Sequence, residues 1–516
     1  MTINQEDVLN YHNEGMSSRE IASILGCSKS QVNNIVNKFK ESIVPRDDIV
    51  VPNDYVHKDS NRYVITCAIN NTPIHRDTLK SLESLCQDLE AELIVVPIRY
   101  KNPTLVVNSG QYNVVWPKSL EGKYVSSRLE LNDRITLFGD VLIQATTILP
   151  LSGLASLPSG KHAVFGHPIL QLETYPNIVG KQAKMSLTTG SVSIPSYSNT
   201  KQGHRARELH HLGATLVEVD KNKDLFFSYQ LSYSEASKSI IHLDKEYFAN
   251  GKVRLAEPAT ALTIGDTHVG DHSVDVHDAI LKLNKDLRVR NNHWHDFFNG
   301  KAVNHHIRNN LTARFKSLVC EKNNLAKEID QVYDFIHKYL DPSINHYFID
   351  SNHNDWIDRW LANPTSNLDI DNLYLYHKLN YTILDDFLNN RKSVMTGFSV
   401  IVDEFKKKNA GYANNLRVLD GETPLCYNNT YYDQHGHIGV SGSRGSPNQF
   451  ANLQFKTVIG HNHYPFIRGN GWGAGTSTKL KLEYTKGLSK WLNTSILEYS
   501  NGTKTMIHFV GSSYRL

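Results

Sequence analysis

Short runs of β-branched and apolar residues alternate along this chain with longer stretches whose apolar positions recur at helical spacing. Residues 63–69 (Tyr-Val-Ile-Thr-Cys-Ala-Ile) predict a strand, 77–90 an amphipathic helix and 93–97 a second strand, a β-α-β opening. Further runs at 140–143, 162–165 and 214–219 predict more strands. The later runs 261–264, 347–350 and 455–459 each stop at a polar motif. These motifs are Gly265-Asp266-Thr267-His268, Ser351-Asn352-His353 and Gly460-His461-Asn462-His463. A strand that ends in polar side chains sets them on the rim of a sheet, where loops converge on a ligand. The pattern predicts an α/β protein.

The first 40 residues read differently. Residues 6–11 begin one helix, Ser17 and Glu20 offer a capping box for the next, and Gly26 marks a turn. Val32 and Ile35 then recur at helical spacing. The unit resembles a helix-turn-helix of the resolvase or sigma-factor type, whose second helix can enter the major groove. Lys29, Ser30, Gln31, Asn33 and Asn34 would then face DNA. The alternative is a three-helix protein-interaction module. Residues 41–60 are polar and punctuated by Pro45 and Pro52, as a linker would be. Residues 61–250 read as a separate α/β domain. Its polar loops 70–75 and 99–104 and its basic, histidine-rich stretch 201–211 suit a functional loop or a subunit contact equally.

Composition narrows the class. A chain of 516 residues suggests about two to four domains. Its 40% hydrophobic and 21% charged residues can build sizeable cores. A net charge of +3 leaves any nucleic-acid binding to local patches. Cys27, Cys67, Cys86, Cys320 and Cys426 form no CxxC pair and read as free thiols in a reducing compartment. There is neither a basic-then-apolar leader nor an apolar stretch approaching a membrane span, so the expected location is the cytoplasm, without a membrane partner.

Two further pieces, His295-Asp296 and His435-Gly436-His437, complete a series of five. Asp, Asn and His together suit hard-to-borderline divalent cations. Two such ions roughly 3.5–4 Å apart can activate a water and stabilise the attacking and leaving oxygens of phosphoryl transfer. One D-x-H or H-x-H would carry little weight, but five pieces in this order point to a dinuclear centre. Histidine is common here, 25 in all, so His272, His277, His293, His337, His346 and His377, which lack a motif, are read as core or surface residues.

The series resembles the calcineurin-like metallophosphoesterase signature: D-x-H, G-D-x-x-D, G-N-H-[DE], H and G-H-x-H. That resemblance implies that Asp266, His268 and His463 hold one metal, that Asn352, His435 and His461 hold the other, and that Asp296 bridges them. His353 matches the family's general acid or transition-state stabiliser, and Asp355 is placed to orient it. His435 is preferred to His437 because glycine follows it, as in the family. The chain departs from the pattern at His295, Asn299, Ser351 and Asn354. The implied cofactor is a pair of divalent ions, with Mn²⁺ suiting mixed oxygen and nitrogen ligands. The implied fold is a C-terminal metallophosphoesterase β-sandwich flanked by helices over 251–516, behind the α/β accessory domain and the helix-turn-helix.

Residues 68–72, 98–103 and 435–446 also resemble the pre-early DNA-degrading proteins of large tailed phages, from about residue 60 to the end. Those proteins look like distant relatives of the double-strand-break repair nucleases. The resemblance implies a metal-dependent DNA nuclease with DNA as partner, and a homo-oligomer is expected. Arg444, in a Gly/Ser-rich loop with Gly442 and Gly445, is a candidate phosphate contact. Two rivals are a metallophosphatase or phosphodiesterase on a non-DNA substrate and a DNA-binding regulator that keeps the fold as a scaffold.

Overall fold

The computed structural model describes residues 4–13, 16–41, 48–49, 60–100, 114–222, 225–304, 307, 310–390, 395–483 and 485–516. It is a mixed α/β protein whose described strands form three large sheets and two short two-stranded ones.

The strand Arg62–Ile69 is buried along almost its whole length and pairs in parallel with Glu92–Ile98. The helix between them, Arg76–Leu89, starts where the His75 side chain accepts from Thr78 N and ends at Glu90 in the left-handed region. Its apolar side, Leu79, Leu82 and Leu85, lies on Val64, Ala68 and Val95 of one sheet face. On the opposite face Ile65, Cys67, Ile94 and Val96 meet Val164, Leu172 and Leu187 of a second sheet.

A six-stranded sheet carries the motif-bearing strands. Its order is Leu416–Val418, Asn345–Phe348, Asn291–Trp294, Ala261–Ile264, Thr494–Glu498, Lys504–His508, the first four parallel and the last two antiparallel. Parallel neighbours require crossovers, and the helices Val274–Leu287, Leu325–Tyr339 and Gly397–Lys408 lie in them. Period-two alternation sorts the strand residues. Leu497 and Ile507 join the helix-facing core with Ile280, Val332 and Ile401, whereas Ile496 and Met506 join Val458 and Trp472 of the ten-stranded sheet.

That ten-stranded sheet takes strands from both sides of residue 250. Phe466–Arg468 pairs antiparallel with Leu172–Tyr175 through Ile467 and Leu172. Gln230 adds a polar tie, its N–H donating to Thr505 Oγ1 at 3.0 Å while its Oε1 accepts from Met506 N at 2.7 Å. The stretches 61–250 and 251–516 thus share a sheet and a core.

The strand expected at 140–143 is absent. The observed strand is Ile135–Phe138, and the chain turns away at Gly139, whose N–H donates to Ser127 O at 3.1 Å. Val141 and Ile143 instead pack beside Phe138, Leu151 and Phe165, so their apolar character is met by burial without ladder pairing.

Near the N-terminus, Gln5–Asn13, Ser18–Ile24 and Lys29–Glu41 are helices with their own core of Val8, Ile21, Ala22, Val32 and Val36. Ser17 and Glu20 form the capping box, and Gly26 takes a φ of 62° at the turn. Most of the expected linker 41–60, and residues 101–104 of the loop at 99–104, lie outside the described residues. Asp48–Ile49 pairs with Trp116–Pro117. No described helix is long and apolar enough to cross a membrane.

Candidate metal centre

Four strand ends, those of Ala261–Ile264, Asn291–Trp294, Asn345–Phe348 and Lys456–Ile459, and one loop at 435–437 carry the motif residues. After Ala261–Ile264 and Asn291–Trp294 the two segments stay tied: Thr267 N donates to His295 O at 3.0 Å, His268 N to Asp296 O at 2.8 Å and Val269 N to Phe297 O at 3.0 Å. The Asp266 carbonyl accepts from Ser477 N at 2.9 Å and from Thr476 Oγ1 at 2.9 Å. Four residues of the cluster, His268, Asp296, His461 and His463, have φ between 42° and 70°, a region costly to non-glycine residues. Such strain persists where surroundings over-determine it, and it gathers at functional sites.

The side chains converge in two groups. Asp266, His268, Asp296 and His463 offer ligand atoms that all lie within 4.8 Å of one another, and Asp296, His435 and His461 do the same. Asp296 belongs to both. Asp266 Oδ2 lies 3.0 Å from His463 Nε2, His268 Nε2 lies 3.2 Å from His463 Nε2, and Asp296 Oδ2 lies 3.3 Å from His435 Nε2 and 3.6 Å from His268 Nε2. Donor atoms bonded to one cation at about 2.0–2.2 Å sit roughly 3 Å apart, so these are separations a shared ion would give. Among the motif residues, Asp266 Oδ2, Asn352 Oδ1 and His435 Nε2 are buried polar atoms without a protein hydrogen-bond partner. Unsatisfied buried polar atoms are costly and call for a partner such as an ion. The donor set therefore fits a metal, and the cluster can hold one.

Electrostatics favour the ligating states of Asp266, Asp296, His268 and His461. Burial opposes ionisation of Asp266, but His463 and His435 outweigh it and hold the carboxyl well below the usual range. Asp296 is held down in the same way, chiefly by His435 and His353. Burial lowers His268 and takes His461 down to about 4, leaving neutral imidazoles with a free lone pair, the form a metal needs. Burial also opposes charge on His435, yet Asp296 beside it outweighs burial and raises it.

His353 stands at the edge of this cluster. Its Nδ1 lies 2.7 Å from the Asn299 carbonyl, to which it donates, and its backbone N–H donates to Asp296 Oδ1 at 3.3 Å. The ring lies against Trp356 with centroids 3.9 Å apart and planes tilted by 31°. This corrects the role expected of Asp355. Asp355 opens the helix Asp355–Ala362 and interacts with Asp350, which burial and Asp355 push up to about 7. Its Oδ2 lies 3.9 Å from His437 Nε2. The group that orients His353 is a backbone carbonyl. His435, not His437, enters the Asp296 cluster.

The other expected residues lie elsewhere. Arg444 is exposed on a loop held by Gly445 N donating to His437 O at 3.0 Å. Lys29, Ser30, Gln31 and Asn34 are exposed and Asn33 half-buried on Lys29–Glu41. Gln31 Oε1 accepts from Ser28 N at 3.0 Å, so this side chain already serves as part of a helix cap. Sequence reasoning passes over Trp356 and Asn299 as a hydrogen-bonding group, and it reads His295 only as a departure from the pattern, whereas its Nδ1 lies 3.1 Å from His435 Nδ1. Trp356 is held near His353 by the turn that leads into the helix, its N–H donating to His353 O at 3.2 Å.

A buried Asp/His cluster on the strand ends of an α/β sheet is a site that could hold a metal ion. The chain is similar to Protein A1 of Escherichia phage T5, 26% identical over 478 residues, which cover 89% of this chain and 83% of that protein. No family model and no solved structure matches it.

Proposed function

We propose that the protein is a metal-dependent DNA nuclease of the metallophosphoesterase type, phage-encoded and acting on host DNA. The observation that carries this reading is the pair of ligand groups joined by Asp296. On this reading Asp266, His268 and His463 would hold one divalent cation, Asn352, His435 and His461 would hold a second, and Asp296 would serve both. Bound there, two Mn²⁺ ions supply Lewis acidity and lower the pKa of water at neutral pH. The protein's own part is positional. Asp296 is anchored by the His353 backbone N–H and Asp266 by the His461 N–H at 2.9 Å, so both carboxylates are fixed before substrate arrives.

His353 is the group for the leaving oxygen. With Nδ1–H committed to the Asn299 carbonyl, its Nε2 is the nitrogen left to meet the substrate. Burial lowers its pKa, which makes it a strong donor when protonated and a neutral partner otherwise. Phosphoryl transfer needs positioning and charge neutralisation without a covalent nucleophile, and none is called for here. The similarity to a phage protein along most of the chain supports the phage setting.

The test is incubation of purified protein with supercoiled, linear and single-stranded DNA in Mn²⁺, Mg²⁺ or EDTA, beside p-nitrophenyl phosphate. Cleavage of DNA in Mn²⁺ and none in EDTA is expected. Hydrolysis of the small ester with intact DNA would replace this reading with a metallophosphatase.

A further inference from the structure

A cavity of about 900 Å³ opens beside His353, within the volume range of about 300–1,000 Å³ typical of ligand sites. His353 and Trp356 form part of its wall, and Lys301, Lys316, Lys322 and Lys486 stand around it with a single acidic residue, Glu483. Lys301 is engaged by Asp271 at 2.6 Å and Lys322 by Glu483. Lys316 and Lys486 are exposed and make no ion pair among the described residues. Ile307 and Ala313 add apolar surface. The lining thus combines cationic groups with an aromatic face and reaches the metal cluster at His353, on the side assigned above to the leaving oxygen.

Cationic side chains beside an aromatic ring match a nucleic-acid strand whose bases are free to stack. Inside a duplex each base is stacked between its neighbours, and only the terminal pair offers a face to Trp356. We propose that this cavity seats a single-stranded DNA end on the leaving side of the scissile phosphate. A base lies against Trp356, and Lys316 and Lys486 neutralise backbone phosphates. The proposal rests on the nuclease reading and extends it by naming the strand form and the residues that receive it.

The experiment measures binding of a fluorescently labelled single-stranded oligonucleotide by anisotropy. It compares the full chain with Lys316→Gln/Lys486→Gln, in EDTA so that no hydrolysis occurs, across a salt series. Both lysines are on the surface, so matching thermal melts are expected and are checked first. The double variant should bind at least tenfold more weakly at low salt. The slope of log affinity against log salt should shrink by about 1.4, at about 0.7 for each single-strand phosphate left without its lysine. A blunt duplex of equal length should lose less. Unchanged affinity and slope, or an equal loss on the duplex, would overturn the cavity's role. Absence of DNA cleavage by the unmodified protein in Mn²⁺ would instead sink the nuclease reading, whatever the oligonucleotide does.

Discussion

Gly460 sits where the sheet delivers His461 to the cluster, and a side chain there has no room. A Cβ at this position would lie 2.5 Å from Asp266 Oδ1, 2.7 Å from His295 Cγ and 2.8 Å from His295 Cβ. Ordinary contact begins near 3.4 Å, so Gly460→Ala must push the Asp266 carboxylate or the His295 ring by several tenths of an ångström. Both groups are pinned. Asp266 Oδ1 accepts from His461 N, and His295 Nδ1 meets His435. Overpacking of this kind costs about 1–3 kcal/mol of stability. Metal sites tolerate ligand displacements of only about 0.2 Å, and disturbing the groups behind ligands costs about 10–100-fold in affinity. Gly460→Ala should therefore melt lower and bind Mn²⁺ about 10–100-fold more weakly. Gly411→Ala, whose Cβ meets nothing within 4 Å, should do neither. Calorimetric titration of Mn²⁺ into both variants, with thermal melts alongside, decides the matter. Wild-type affinity and melting in Gly460→Ala would refute the idea that packing behind the ligands holds the site.

Three further outcomes are expected. His353→Ala should lower DNA turnover by about 10²–10⁴ with metal content near that of the parent, and elemental analysis showing loss of an ion would make His353 a ligand instead. Removing residues 1–40 should weaken DNA association and flatten its salt dependence while leaving the chemical step intact; equal slopes would show that the helical unit does not touch DNA. Burial raises Glu328 to about 7 although the Lys301 and Ala302 N–H groups donate to its carboxylate. Because its folded pKa lies above the unfolded value of 4.5, its contribution is fully present below that value and fades as pH rises through about 7. Between these limits the parent should lose about 3 kcal/mol more stability than Glu328→Gln, at about 1.36 kcal/mol per unit, and urea melts with parallel pH profiles would contradict this.

Much of the site can be seen in the chain because it is written locally. Ala261–Ile264 stops at Gly265, and Gly265 itself has no space for a Cβ, which would lie 2.6 Å from the Gly475 carbonyl carbon. An apolar run followed by a forced glycine and then Asp266 is therefore a readable signal. What joins distant pieces is not readable. The partner of the His353 ring is the carbonyl of Asn299, a group every residue carries, so no residue type announces it. Asp355 suits the role by its nearness in sequence, but the helix it begins turns its carboxylate toward Asp350. The sheet shared across residue 250 hangs on the pairing of Ile467 with Leu172, and neither local sequence names the other. The false strand at 140–143 arises because burial and pairing leave the same apolar signature.

If Asp296 joins the two ligand groups into one catalytic metal centre, removing its carboxylate must disable both halves together. Manganese counted per chain by elemental analysis, beside cleavage of a DNA substrate by the same samples, decides this in the parent protein and in Asp296→Ala. Two ions per chain and Mn²⁺-dependent cleavage are expected in the parent, with both metal and cleavage lost in a variant that still folds. A folded Asp296→Ala protein that keeps its ions and cuts DNA at the parental rate would contradict the shared-carboxylate centre.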